Sequence, residues 1–200
     1  MRPVTIMMPI AVVSLAVVGC TPLRWENLPE PQADVPVLSE EFDSLTHRAV
    51  PIIRRLVKKR PLPVTLIQVY STRFHPQLTK DQIAVSYRCG PGELSKPYGC
   101  LLIKDTVLKA LSDEALAGLL AHELGHLELG HRTSPTGSQL KTTEFEADDA
   151  AIARLADAGY CGGSVMRQTF HELMTVIPGT GGGFNGERFA RTLNTPCTPS

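Results

Sequence analysis

The run LLAHELGHLELGH, residues 119–131, places His122, Glu123 and His126 inside an apolar stretch. On an α-helix residues four apart share a face, so His122 and His126 can aim their imidazoles at one ion. Glu123 lies about 100° further round. From there a carboxylate can take a proton from an attacking water without ligating the ion. The pattern is HExxH: two zinc ligands and a general base. Zinc needs a third protein ligand, and TTEFEADDAA (142–151) offers one. Glu144 follows His126 by eighteen residues, room for a helix end, a loop and a returning helix. Glu144 and Asp148 are four apart, and Ala147 and Ala151 are small enough to let their face approach the first helix. Glu144 is the expected third ligand, and Asp148 the carboxylate that fixes a ligand histidine's tautomer.

Other acidic and histidine positions are expected to stand apart. Glu146, about 200° from Glu144 on the wheel, should face elsewhere, and its loss should do little. His131 lies beyond Gly130 and is expected at the surface or as a cap. His171 opens HELMT, which lacks a second histidine, and His47 and His75 read as surface or structural residues.

These side chains need elements to hold them. Ser112 can cap a helix with Asp113 and Glu114 in its first turn, and that helix should end near Gly130. A second helix is expected over Thr143–Ala158, ended by Gly159, a third over Ser164–Thr175, and a short last one in ERFARTL. Apolar spacing from Ser39 to Lys59 predicts a helix kinked or broken at Pro51. VTLIQVY (64–70), IAVSY (83–87) and CLLIK (100–104) read as strands. The sum is an α+β domain, a small mixed sheet packed against the HExxH helix and the glutamate-bearing helix.

Two hundred residues suit one domain. Twenty basic residues balance twenty acidic ones, which argues against a nucleic-acid partner. The first nineteen residues carry Arg2 and then an apolar run, the layout of a signal peptide. VVGC at 17–20 resembles the bacterial lipobox, which makes Cys20 the lipidated residue; an ordinary signal with a chance cysteine and a short membrane anchor are the alternatives. Residues 20–38, rich in proline, then form a tether, and 39–200 the folded domain. Thr21 after the cysteine leans, by resemblance to Gram-negative lipoproteins, toward the periplasmic face of the outer membrane.

Four cysteines remain and allow three pairings. Cys89 and Cys100 bracket a turn-rich loop whose closure is worth roughly 3 kcal/mol, and Cys161 with Cys197 would tie down the C-terminal tail. Four zinc ligands are the other use of such cysteines, but no CxxC spacing is present.

HELGH followed by ExxAD (Glu144 to Asp148) resembles the gluzincin metallopeptidases that include the CAAX prenyl protease, HtpX and compact relatives called minigluzincins. The resemblance runs from about Val64 to Leu193. It implies one Zn2+ held by His122, His126 and Glu144, with Glu123 as general base, and a zinc endopeptidase that lays an extended polypeptide substrate along a sheet edge. The family's C-terminal His-Pro pair, followed by an Arg six residues after the His, is matched here only by Arg188. The His falls on Gly182. Arg188 is therefore expected in the catalytic group, without its usual neighbour. The expected function is a lipid-anchored periplasmic endopeptidase acting on envelope polypeptides. The alternative is a peptidase-like lipoprotein that binds polypeptides or assists envelope assembly without cutting, although a pure binder has no need of Glu123.

Overall fold

The computed structural model describes residues 37–39, 46–62, 64, 66–72, 83–89, 98–131, 138–176, 184–193, 195 and 197. Cys20, His75 and Gly182 lie outside them, as do the signal and most of the tether. Four strands, β1 (Val37–Ser39), β2 (Leu66–Ser71), β3 (Ala84–Cys89) and β4 (Tyr98–Ile103), form one sheet in the order β1-β2-β4-β3. The pairs β1–β2 and β2–β4 are parallel and β3–β4 is antiparallel, so the sheet is mixed as expected. Six helices accompany it among the described residues: α1 (Ala49–Val57), α2 (Asp105–Ala110), α3 (Asp113–Leu129), α4 (Ser138–Asp157), α5 (Gly162–Val176) and α6 (Phe184–Leu193).

Three boundaries differ from expectation. Val37 and Leu38, expected to end the tether, enter the sheet as β1 beside Leu66 and Ile67. Pro51 does not kink a long helix, because α1 starts at Ala49. It falls in the first turn, where its missing N–H has no partner to lose. Helix α4 begins at Ser138, five residues before the expected Thr143, taking in polar residues whose composition reads as loop.

Alternation along the strands sets the core. Ile67, Val69, Leu101 and Ile103 share one buried cluster with Ile53 and Leu56 of α1 and Leu116, Leu120 and Leu124 of α3. Helix α3 is buried on nearly every side, which is why it reads as apolar all round. Each such leucine contributes about 1.5–3 kcal/mol, so α3 is a firm base for whatever polar groups it carries.

Both ends of α3 are fixed by named contacts. Ser112 accepts from the Ala115 N–H at its start, and the Ser112 hydroxyl and N–H donate to Glu172 of α5 at 2.7 and 2.8 Å. The HELMT segment thus has a structural task, since Glu172 anchors the active-looking helix. At the other end Gly130 takes φ 73, the left-handed cap that glycine accepts without strain. Arg154 of α4, fully buried, reaches the carbonyls of Leu56 and Arg60 and the Glu128 carboxylate at 2.6 Å, tying α1, α3 and α4 together.

Candidate metal centre

Residues His122, Glu123 and His126 project from the middle of α3, where a polar side chain has little water to meet. His122 is 6% and Glu123 5% exposed. Burying such groups without partners costs several kcal/mol, so partners are required. Helix α4 supplies them, and close approach makes this possible: a Cβ on Gly125 would lie 2.8 Å from the Ala147 carbonyl oxygen. Glycine on one helix and alanine on the other let Glu144 and Asp148 reach across.

Donor groups of three residues converge. His122 Nε2 lies 3.0 Å from His126 Nε2 and 3.3 Å from Glu144 Oε2, and His126 Nε2 lies 3.4 Å from Glu144 Oε1. A tetrahedral ion with bonds of about 2.0–2.1 Å separates its ligands by about 3.3–3.4 Å. The two nitrogens and the Glu144 oxygens that face them lie near that separation, and these three residues form a group able to hold a metal ion.

Asp148, 3% exposed, accepts from His122 Nδ1 at 2.9 Å, so the histidine it steadies is His122. Arg188 of α6 closes the cluster. Its Nε and Nη2 donate to the two Asp148 oxygens at 2.8 and 2.7 Å, and its Nη1 lies 2.8 Å from Glu144 Oε2. The guanidinium also stacks on Phe170, 4.9 Å from the ring centre. Arg188 thus sits on the Glu144 and Asp148 carboxylates, rather than standing free over the site.

These contacts set the charges. Burial and the Arg188 charge push the His122 pKa down, but the Asp148 and Glu144 carboxylates outweigh them and raise it to about 9. Burial alone would raise Glu144; contacts with His122, His126 and Arg188 hold it well below the usual carboxylate range. Asp148 is likewise held low against its burial, chiefly by Arg188 and His122. Arg188 stays charged despite burial because Asp148, Glu144 and Glu123 surround it.

One arrangement was not legible beforehand. His131, expected as a surface or capping residue, does cap α3, its N–H donating to the His126 carbonyl at 3.1 Å. Its ring also turns back so that Nδ1 lies 2.9 Å from His126 Nδ1. Its Nε2 meets Glu146 Oε2 at 3.1 Å. Glu146, expected to face elsewhere than Glu144, meets His131 there and not the Glu144 side of the cluster. The available signal was Gly130, whose left-handed cap folds the following residue back over the last turn.

The C-terminal pairing expected from the cysteine count is present: Cys161 and Cys197 are bonded, with Cα atoms 4.9 Å apart. Cys100 is also disulfide-bonded, and the strand register sets Cys89 opposite Tyr98, two positions from Cys100. The Cys89 side chain lies outside the described residues.

Fold and site together define a class, a small α+β protein with a partly buried His-His-Glu group able to hold a metal ion and a glutamate next to it in sequence. Residues 94–143 match the model of peptidase family M48. The match spans fifty of the two hundred residues, taking in β4, α2 and α3 with the HExxH residues, and it ends one residue before Glu144. It supports a metallopeptidase of the gluzincin kind, and Glu144 joins the pattern through the structure. No curated protein and no solved structure gives a significant match.

Proposed function

We propose that this chain is a zinc-dependent endopeptidase, lipid-anchored through Cys20 at the periplasmic face of the outer membrane and acting on envelope polypeptides. The observation that carries the reading is the convergence of His122 Nε2 and His126 Nε2, 3.0 Å apart, on the Glu144 carboxylate, whose Oε2 lies 3.3 Å from the first and Oε1 3.4 Å from the second, with Glu123 buried next in sequence to His122. Zinc bound there would supply a Lewis acid that polarises a peptide carbonyl and makes a water acidic at neutral pH. Glu123 would take the proton of a water attacking the carbonyl carbon and pass it to the amide nitrogen as the C–N bond breaks. Arg188, bound to Asp148 and Glu144 through Nε and both Nη groups, keeps these two carboxylates ionised beside the site.

Strand β3 supports the substrate class. It packs against α3 and, among the described residues, pairs with β4 alone, leaving an edge to which an extended peptide can add. Cys161–Cys197 is consistent with an oxidising compartment.

The experiment compares Glu123→Gln with Glu144→Gln, measuring zinc stoichiometry after dialysis against a mild chelator and cleavage of an unfolded protein. Glu123→Gln keeps every ligand and should retain zinc while hydrolysis falls by roughly 10²–10⁴. Glu144→Gln should lose zinc, and activity with it. A wild type that holds one zinc and cleaves nothing would favour the non-cleaving binder, with Gly182 in the place of the family's histidine as the first suspect.

A further inference from the structure

We infer that His131 and Glu146 position His126 as a metal ligand, through a hydrogen-bonded chain running outward from the His126 Nδ1 atom. The inference rests on reading His122, His126 and Glu144 as the ligand set. An imidazole that gives its Nε2 lone pair to an ion keeps its proton on Nδ1 and needs an acceptor there. The His131 Nδ1 at 2.9 Å is that acceptor. Accepting at Nδ1 places the His131 proton on Nε2, and Glu146 Oε2 receives it at 3.1 Å. Every donor then meets an acceptor, and the His126 Nε2 lone pair points at Glu144 and His122. The reverse order would put a proton on His126 Nε2, 3.0 Å from the facing His122 Nε2, and would block the ion.

The backbone makes the arrangement rigid. The N–H groups of Gly130 and His131 both donate to the His126 carbonyl, so His131 is anchored to the residue whose ring it meets. The two rings meet edge to face, with centroids 5.0 Å apart and planes at 69°. Each ligand histidine therefore has its own partner, the charged Asp148 for His122 and a neutral imidazole for His126. The links differ in weight. The His131 side chain is 9% exposed, whereas that of Glu146 is 55% exposed and its hydrogen bond to His131 is worth little in water.

The test measures the zinc dissociation constant of the full chain by competition with a chromophoric chelator. His131→Ala should weaken zinc binding about 10–100-fold. His131→Asn, whose Oδ1 can take the place of the ring Nδ1 as acceptor, should recover most of that loss. Glu146→Gln should weaken binding no more than about fivefold. The cobalt-loaded proteins give a second readout: the visible absorption of His131→Ala should shift while that of His131→Asn follows the wild type. A cap role alone would move neither, because every variant keeps the backbone N–H. Wild-type affinity in His131→Ala, or equal losses in the alanine and asparagine variants, would overturn the inference. The underlying ligand set is tested separately by His126→Ala: zinc retained there means the ligand assignment has failed, and zinc lost there with His131→Ala unaffected means only the positioning chain has.

Discussion

Replacing Asp148 by asparagine changes one atom and removes one charge at the point where α3, α4 and α6 meet. Asp148 Oδ1 accepts from His122 Nδ1 at 2.9 Å and Arg188 Nη2 at 2.7 Å, while Oδ2 accepts from Arg188 Nε at 2.8 Å. Asparagine has a single oxygen, so its amide NH2 must face a donor in either orientation. The cheaper orientation keeps the oxygen toward His122 and sacrifices the Arg188 Nε contact, a hydrogen bond to a charged group worth about 1.5–3 kcal/mol. Loss of a partner that orients a ligand histidine costs about 10–100-fold in metal affinity, or about 1.4–2.7 kcal/mol. A neutral amide oxygen also holds the His122 Nδ1–H less firmly than the carboxylate does, so the zinc dissociation constant at pH 7 should rise by about one to two decades. Chelator competition measures it, and a melting curve of the zinc-free protein runs alongside. A melting temperature that drops while zinc affinity stays within twofold of wild type would refute the reasoning, leaving Asp148 as a partner of Arg188 alone.

Two further outcomes are expected. In the zinc-free protein the His122 pKa is raised from 6.5 to about 9, so the protonated form is favoured by folding. That stabilisation is complete below pH 6.5 and is lost as pH rises through about 9. Melting temperature without zinc should therefore fall across that window, and a flat profile would show that the carboxylates do not hold the proton. For the anchor, Cys20→Ser should abolish incorporation of labelled lipid and release the protein from the membrane fraction; unchanged fractionation would rule the anchor out.

The metal centre was legible because helical period fixes it. Four-residue spacing puts His122 with His126 and Glu144 with Asp148 on single faces, and Ser112 and Gly130 mark the ends of α3 by their side-chain chemistry. What sequence could not reveal depends on contacts between distant segments. Arg154 follows Ala147 by seven residues on the inward stripe of α4, yet an arginine there reads as surface until Glu128 and the Leu56 and Arg60 carbonyls are brought to it. Strand β1 is three residues long and exists through its pairing with β2, so composition carries no trace of it. The place of Arg188 on two carboxylates was hidden for the same reason. A match to a family's arginine gives a position in the chain, not the groups it meets.

The Cys161–Cys197 bond gives that arginine a particular status. The bond closes a covalent ring around α5 and α6, across a sequence separation of 36, so α6 is fastened to the domain on both sides of Arg188. Closing a ring of that size removes about 4 kcal/mol of freedom from the opened chain in the loop-entropy picture. Seen from Asp148, the guanidinium behaves as a ligand at high effective concentration, replenished each time its ion pairs part. Reduction leaves every residue of the site in place but dilutes Arg188 within its own chain. Two preparations of identical sequence, one oxidised and one reduced, would then carry different mean charge around the same three donor atoms.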